Sequence, residues 1–148
     1  MEKRRFFRIL AHAPRERVAD LAREIEEQYP VAVLKEPQKS LVMIQVREPV
    51  QETRFYLGEA LVCEAMVEVD GVKGMAVTLG DDFEKVLAMA VLDAAFNRKV
   101  PQCAAIQQEL YRLEEEQRRA EEQENGLYHR TQVHFESLDN EVPHEDHP

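Results

Sequence analysis

Apolar residues recur along the chain with two different periods, and the change of period divides it into elements. Phe6, Phe7, Ile9 and Leu10 follow a basic start, Met1-Glu2-Lys3-Arg4-Arg5, and Pro14 interrupts the pattern. Pro14 suits the first residue of a second helix, where a missing N–H costs nothing. Val18, Leu21, Ala22 and Ile25 then repeat at i, i+3, i+4, i+7 and form one apolar stripe up to Pro30. A helical hairpin is predicted at the N-terminus.

Beyond Pro30 the period shortens. Val31-Ala32-Val33-Leu34 reads as a short strand closed by Pro37, and residues 41–46, nearly continuous in apolar side chains, as a second strand stopped at Glu48-Pro49. From Arg54 to Val69 runs a third, with Gly58 as a bulge or bend. Asp70-Gly71 is a hairpin turn signal, because both residues accept positive φ, and 73–79 is the return strand. Gly80-Asp81-Asp82 opens a long helix, with either aspartate able to cap its first turn. Phe83, Val86, Leu87, Ala90, Val91, Ala94 and Ala95 form its apolar face, and Pro101 separates it from a last helix over about 102–125. That helix begins amphipathic, with Cys103, Ile106, Leu110 and Leu113, turns wholly polar, and is predicted to end at Asn125-Gly126. Residues 127–138 alternate weakly.

The predicted fold class is α+β: an antiparallel sheet of three to four strands packed with an N-terminal helical hairpin and two long C-terminal helices. The predicted organisation is a single domain over 1–138 and an acidic disordered tail over 139–148, dispensable for folding because Val142 is its only strongly apolar side chain.

Composition narrows the class of protein. The 148 residues are 44% apolar and 32% charged, the profile of an ordinary globular domain. No apolar stretch approaches the ~20 residues of a bilayer span, the basic start has no apolar core behind it, and Cys63 and Cys103 form no CxxC. A cytoplasmic protein is expected. The net charge of −10 is uneven: residues 1–108 carry 15 basic and 17 acidic side chains, residues 109–148 carry 4 and 12. An acidic end repels phosphate backbones and counts against nucleic acid.

Candidate chemistry is sparse. The sequence contains no Walker-type loop, GxGxxG, HExxH or GxSxG. His144 and His147, with Glu145 and Asp146 between them, form a weak metal candidate in a terminal tail that offers no second layer of support. His12 reads as a helix-terminal or core histidine, and His129 and His134 as surface or interface residues. Asp93 interrupts an apolar helix face, as a hydrogen-bonded interface carboxylate or a functional one of raised pKa. Met43, Met66, Met75 and Met89 read as core fillers, and both cysteines as buried thiols. The Glu-rich run is a solvated helix face with i,i+4 pairs such as Glu114 with Arg118 and Glu115 with Arg119. No catalytic residue is assigned, and no cofactor or metal is expected on this chain alone.

A collinear set of segments carries a resemblance. Leu10-Ala11-His12, Ser40-Leu41-Val42-Met43-Ile44-Gln45-Val46-Arg47, Arg54-Phe55-Tyr56-Leu57-Gly58-Glu59-Ala60-Leu61-Val62, Asp70-Gly71 with Gly74, Gly80-Asp81-Asp82, Leu92-Asp93-Ala94-Ala95 and Val133-His134-Phe135 follow one another in order. Over about residues 3 to 138 the chain resembles the PhnG family, subunits of the bacterial carbon–phosphorus lyase system. It departs from the family pattern at 48–53, at Cys63-Glu64 and at Asp81, each change removing positive charge or backbone freedom. The resemblance implies phosphonate catabolism in a core complex with PhnH-, PhnI- and PhnJ-like subunits, and with a PhnL-like ATPase-family protein. It also implies an accessory part in displacing adenine from ATP by a phosphonate, giving α-D-ribose 1-methylphosphonate 5-triphosphate when methylphosphonate is the substrate. ATP would then be a substrate of the complex, and the chain a transferase subunit that is not catalytic alone. The alternative is a non-enzymatic interaction protein docking through its acidic C-terminal helix. The 18/21/22/25 stripe and the apolar 83–95 face exceed what one small sheet obviously needs, which predicts an obligate complex with a PhnI-like subunit through the 83–95 and 103–113 segments.

Overall fold

A computed structural model describes residues 1–47, 50 and 54–141. Helices α1 (Lys3–His12) and α2 (Arg15–Gln28) form the expected hairpin, and Pro14 stands one place earlier than expected, at the N-cap of α2. Strands β1 (Val31–Arg47), β2 (Arg54–Val69) and β3 (Val72–Leu79) make an antiparallel sheet in the order β1-β2-β3. Helix α3 (Phe83–Arg98) and helix α4 (Cys103–Glu141) follow. The α+β class and the two long C-terminal helices stand as predicted. The chain divides into two compact units, Met1–Leu110 and Tyr111–Pro148.

Local signals explain most boundaries. Asp70 and Gly71 have φ of 47° and 86°, the left-handed pair of a two-residue hairpin turn, and Val69 faces Val72 across it. Asp82 Oδ1 accepts from the Lys85 amide at 3.1 Å and caps α3, so the second aspartate is the cap. The extra residue in β2 falls at Leu57, beside Gly58, where the register shifts between Ile44 and Gln45.

Two boundaries differ from expectation. The two short segments before residue 48 are one strand of 17 residues, because Pro37 lies in a register irregularity between Lys35 and Gln38 instead of closing a strand. A proline that falls outside the ladder removes no hydrogen bond from it. Asn125-Gly126 does not end α4, which continues to Glu141. Glycine within a helix costs only about 1 kcal/mol, and the Glu-, Gln- and Arg-rich turns before it are strong helix formers. The 39 residues of α4 span about 58 Å at 1.5 Å per residue. Residues 142–148 of the expected tail lie outside the described residues.

The core of the first unit is built around α3. Apolar on all sides, the helix is buried at every residue from 88 to 95. One side packs on the sheet, where Cys63, Ala65, Val67, Val69 and Ala76 are buried, and another packs on α2. Val18, Ala22 and Ile25 are fully buried on α2, as are Ile106 and Leu110 on α4. Most of the stripe residues that predict a partner interface at 83–95 and at the start of 103–113 are thus covered within the chain, Phe83 being the exposed exception at 38%. The physical reason is that the helical hairpin supplies α3 with a second counter-face, so the sheet does not have to cover it alone.

Candidate functional site

The apolar surface left open belongs to the sheet. In antiparallel pairing, residues directly opposite share a face. Cys63, Ala65 and Val67 face the helices, which puts Met66, Met75, Val77 and Leu79, with Val42 and Ile44 of β1, on the other face. Strands β1 and β2 are 17 and 16 residues long but β3 only 8, and β3 ends with Leu79 opposite Val62. Beyond Leu61 the first two strands therefore continue as a two-stranded arm. Described side chains along it stand in solvent: Leu41 is 62% exposed, Met43 58%, Leu57 67%, and Leu79 at its base 73%. Met43 and Met75 are thus surface residues, whereas Met89 is core and Met66 half-buried. The two are exposed for different reasons: Met75 lies on the face turned from the helices, and Met43 on the arm beyond the end of β3.

Asp93 is the buried polar residue of the core, 4% exposed. Its Oδ2 accepts from the Met75 amide at 3.0 Å, and its Oδ1 accepts from Lys3 Nζ at 2.7 Å. Asn97, one turn on, donates Nδ2 to the Lys73 carbonyl at 2.9 Å and accepts from Lys3 Nζ at 2.6 Å. The carboxylate joins α1, β3 and α3 within the chain. Sequence reasoning finds Asp93 but misses Lys3 and Asn97. The i,i+4 spacing of Asp93 and Asn97 is the available signal, and nothing local points to Lys3, ninety residues away.

The other candidates lie apart. Cys63 is buried, with Sγ 3.7 Å from the Asp82 carbonyl; burial, then the Asp82 and Asp81 charges, raise its pKa above the ordinary thiol value. Cys103 is half-buried, its Sγ 3.4 Å from the Ala95 carbonyl, and burial raises its pKa too. Thiols so placed are poor nucleophiles. His12 stands exposed in the last turn of α1, with Nδ1 2.9 Å from the Arg8 carbonyl. Lys85 donates Nζ to the Ala11 carbonyl at 2.6 Å; burial lowers its pKa, against the opposing pull of Asp82. His129 and His134 fall on α4, and His144 and His147 lie outside the described residues. Among the described residues, no group of three or more His, Cys, Asp or Glu is placed to hold a metal ion.

A shallow groove of about 290 Å³ runs between α2 and the start of α4, lined by Arg17, Asp20, Leu21, Glu24, Ile106 and Glu109. Arg17 pairs with Glu109 at 2.5 Å, which leaves Asp20 and Glu24 as the excess negative charge of the groove. Such a lining disfavours a triphosphate. On α4, Arg119 donates to Glu115 at 3.3 Å as the spacing predicts, and Arg118 joins Glu115 and Glu122. Hydrogen bonding from Arg118 first, and its charge, lower the Glu115 pKa. Among the described residues, no helix is long and apolar enough to cross a membrane.

The described residues thus give the sheet an apolar open surface, and the candidate side chains among them lie apart from one another. The family model of phosphonate metabolism protein PhnG matches residues 1–139. The chain belongs to the PhnG family. No curated protein matches it. The PhnG match takes in every described element except the last residues of α4, and so includes both the Asp93 network and the open sheet surface.

Proposed function

We propose that this PhnG-family chain is a non-catalytic subunit of a phosphonate-processing assembly, and that it docks PhnI-, PhnH- and PhnJ-like subunits through its sheet. The assembly transfers the ribose triphosphate of ATP to an alkylphosphonate and releases adenine; this chain holds the assembly together and lends no acid, base or nucleophile to the step. One observation carries the reading: Val42, Ile44, Met75, Val77 and Leu79, each at least 40% exposed, lie on the face of the sheet turned from the helices and leave it an apolar surface that a lone globular domain would hide. A two-stranded arm is marginally stable by itself in water, which is a second reason for a partner.

The test has two arms. The purified chain, given ATP and methylphosphonate, is expected to release no adenine. Coexpressed with PhnI-like, PhnH-like and PhnJ-like subunits, it is expected to elute with them on sizing. Adenine release by the chain alone, abolished by a point substitution within it, would overturn the accessory role, and a monomer that ignores all three subunits would overturn the docking.

A further inference from the structure

The two edges of the sheet are treated differently. On the outer edge of β3, the Lys73 carbonyl accepts from Asn97 and the Met75 amide donates to Asp93, so side chains of α3 stand in for a next strand. On the outer edge of β1, no described segment pairs. The first half of that edge carries guards against stray pairing: Lys35, Glu36 and Lys39, with Pro37 in the irregular stretch. Residues 41–44, Leu-Val-Met-Ile, carry none, and all four are at least 40% exposed. They are already held in extended register against β2, from Leu41 opposite Leu61 to Ile44 opposite Gly58. A bare edge of this composition is a template for aggregation unless another strand covers it.

We infer that residues 41–44 of β1 pair with an extended strand of a different protein subunit, apolar at its centre and acidic at its flanks, which continues the sheet across the subunit boundary. Backbone hydrogen bonds supply affinity in such pairing, and alternate side chains supply specificity. Leu41 and Met43 stand on one face and Val42 and Ile44 on the other, so an incoming strand finds apolar contacts on both.

Charge selects the occupant. Residues 31–47 carry Lys35, Lys39 and Arg47 against Glu36, a basic segment in a chain of net charge −10. A second copy of this chain on the same edge meets like charge in either direction. Antiparallel pairing centred on Met43 sets Lys39 opposite Arg47, and parallel in-register pairing sets Lys39 opposite Lys39. Like charges directly opposite destabilise a pair of strands. The net charge of each copy adds repulsion at longer range. An acidic-flanked strand reverses the first term.

The inference rests on the docking reading above and specifies its contact. The test is hydrogen exchange on the complex purified after coexpression with the PhnI-, PhnH- and PhnJ-like subunits, compared with the chain alone. The amides of 41–45 are expected to slow by about tenfold or more on assembly. A Leu41→Lys/Met43→Lys variant is expected to keep its circular dichroism spectrum and lose the complex. Lys39→Glu is expected to weaken the complex, less so in high salt. A complex in which 41–45 exchange as fast as in the free chain overturns this inference alone. Failure to form any complex overturns the docking reading as well. Protection of the same amides in a homodimer of the chain alone overturns the choice of occupant. Should the lysine variant fail to fold, exchange in the unaltered protein decides.

Discussion

Asp93 is held by two contacts of different character, an ion pair with Lys3 and a hydrogen bond from the Met75 amide. Its partner Lys3 is 59% exposed at the side chain while Asp93 is 5%. An ion pair with one end in water contributes about 0–1 kcal/mol. The hydrogen bond from the Met75 amide is the larger item, since a bond to a charged acceptor is worth about 1.5–3 kcal/mol and an orphaned buried amide costs a similar amount. Asp93→Ala is therefore expected to cost about 2–4 kcal/mol, Asp93→Asn about 1 kcal/mol because the amide oxygen still accepts, and Lys3→Ala less than about 1 kcal/mol. Urea denaturation of the three variants checks the order. A Lys3→Ala loss equal to that of Asp93→Ala would show that the ion pair, not the edge bond, dominates.

At the scale of elements, closeness of approach decides where glycine is required. A Cβ on Gly74 would lie 2.2 Å from the Ala94 backbone nitrogen, so β3 and α3 meet at this point backbone to backbone. Neither can give way without moving an element, and Gly74→Ala is expected to cost about 3 kcal/mol or more. Gly126 is the opposite case. It is exposed within α4, and a Cβ there meets nothing within 4 Å. Gly126→Ala is expected to raise helix stability by about 0.5–1 kcal/mol through reduced chain entropy alone. Thermal melts of the two variants should move in opposite directions, and equal shifts would refute the packing account.

At the scale of the whole molecule, the exposed arm predicts a stability that depends on company. A partner that binds only the folded chain, present at about a hundred times its dissociation constant, adds about 2.7 kcal/mol. For a chain of this size each kcal/mol moves the melting point by about 2–4 °C. The coexpressed complex is thus expected to melt on the order of 5–10 °C above the chain alone, and identical melting points would count against an interface on the sheet.

Most elements could be read directly from the residues. Periods of 3.6 and 2, Pro14, Pro30, the Asp70-Gly71 turn and the Asp82 cap are local causes acting over a few residues, and they produce the helical hairpin, the β2–β3 hairpin and α3 where expected. The family, too, was legible, since it rests on the order of short segments and the match spans residues 1–139. Burial was not. An apolar stripe states that a face wants cover without naming what covers it, and the hairpin's position on α3 turned an expected interface into core. The same indeterminacy hid the open sheet surface: nothing local in the sequence distinguishes Met43 and Met75, both exposed, from the buried Met89. Whether Pro37 breaks a strand, and whether Asp93 faces a partner or the outer edge of β3, depends on residues dozens of positions away. Those contacts exist only once the chain has closed on itself, so tertiary structure alone could decide them.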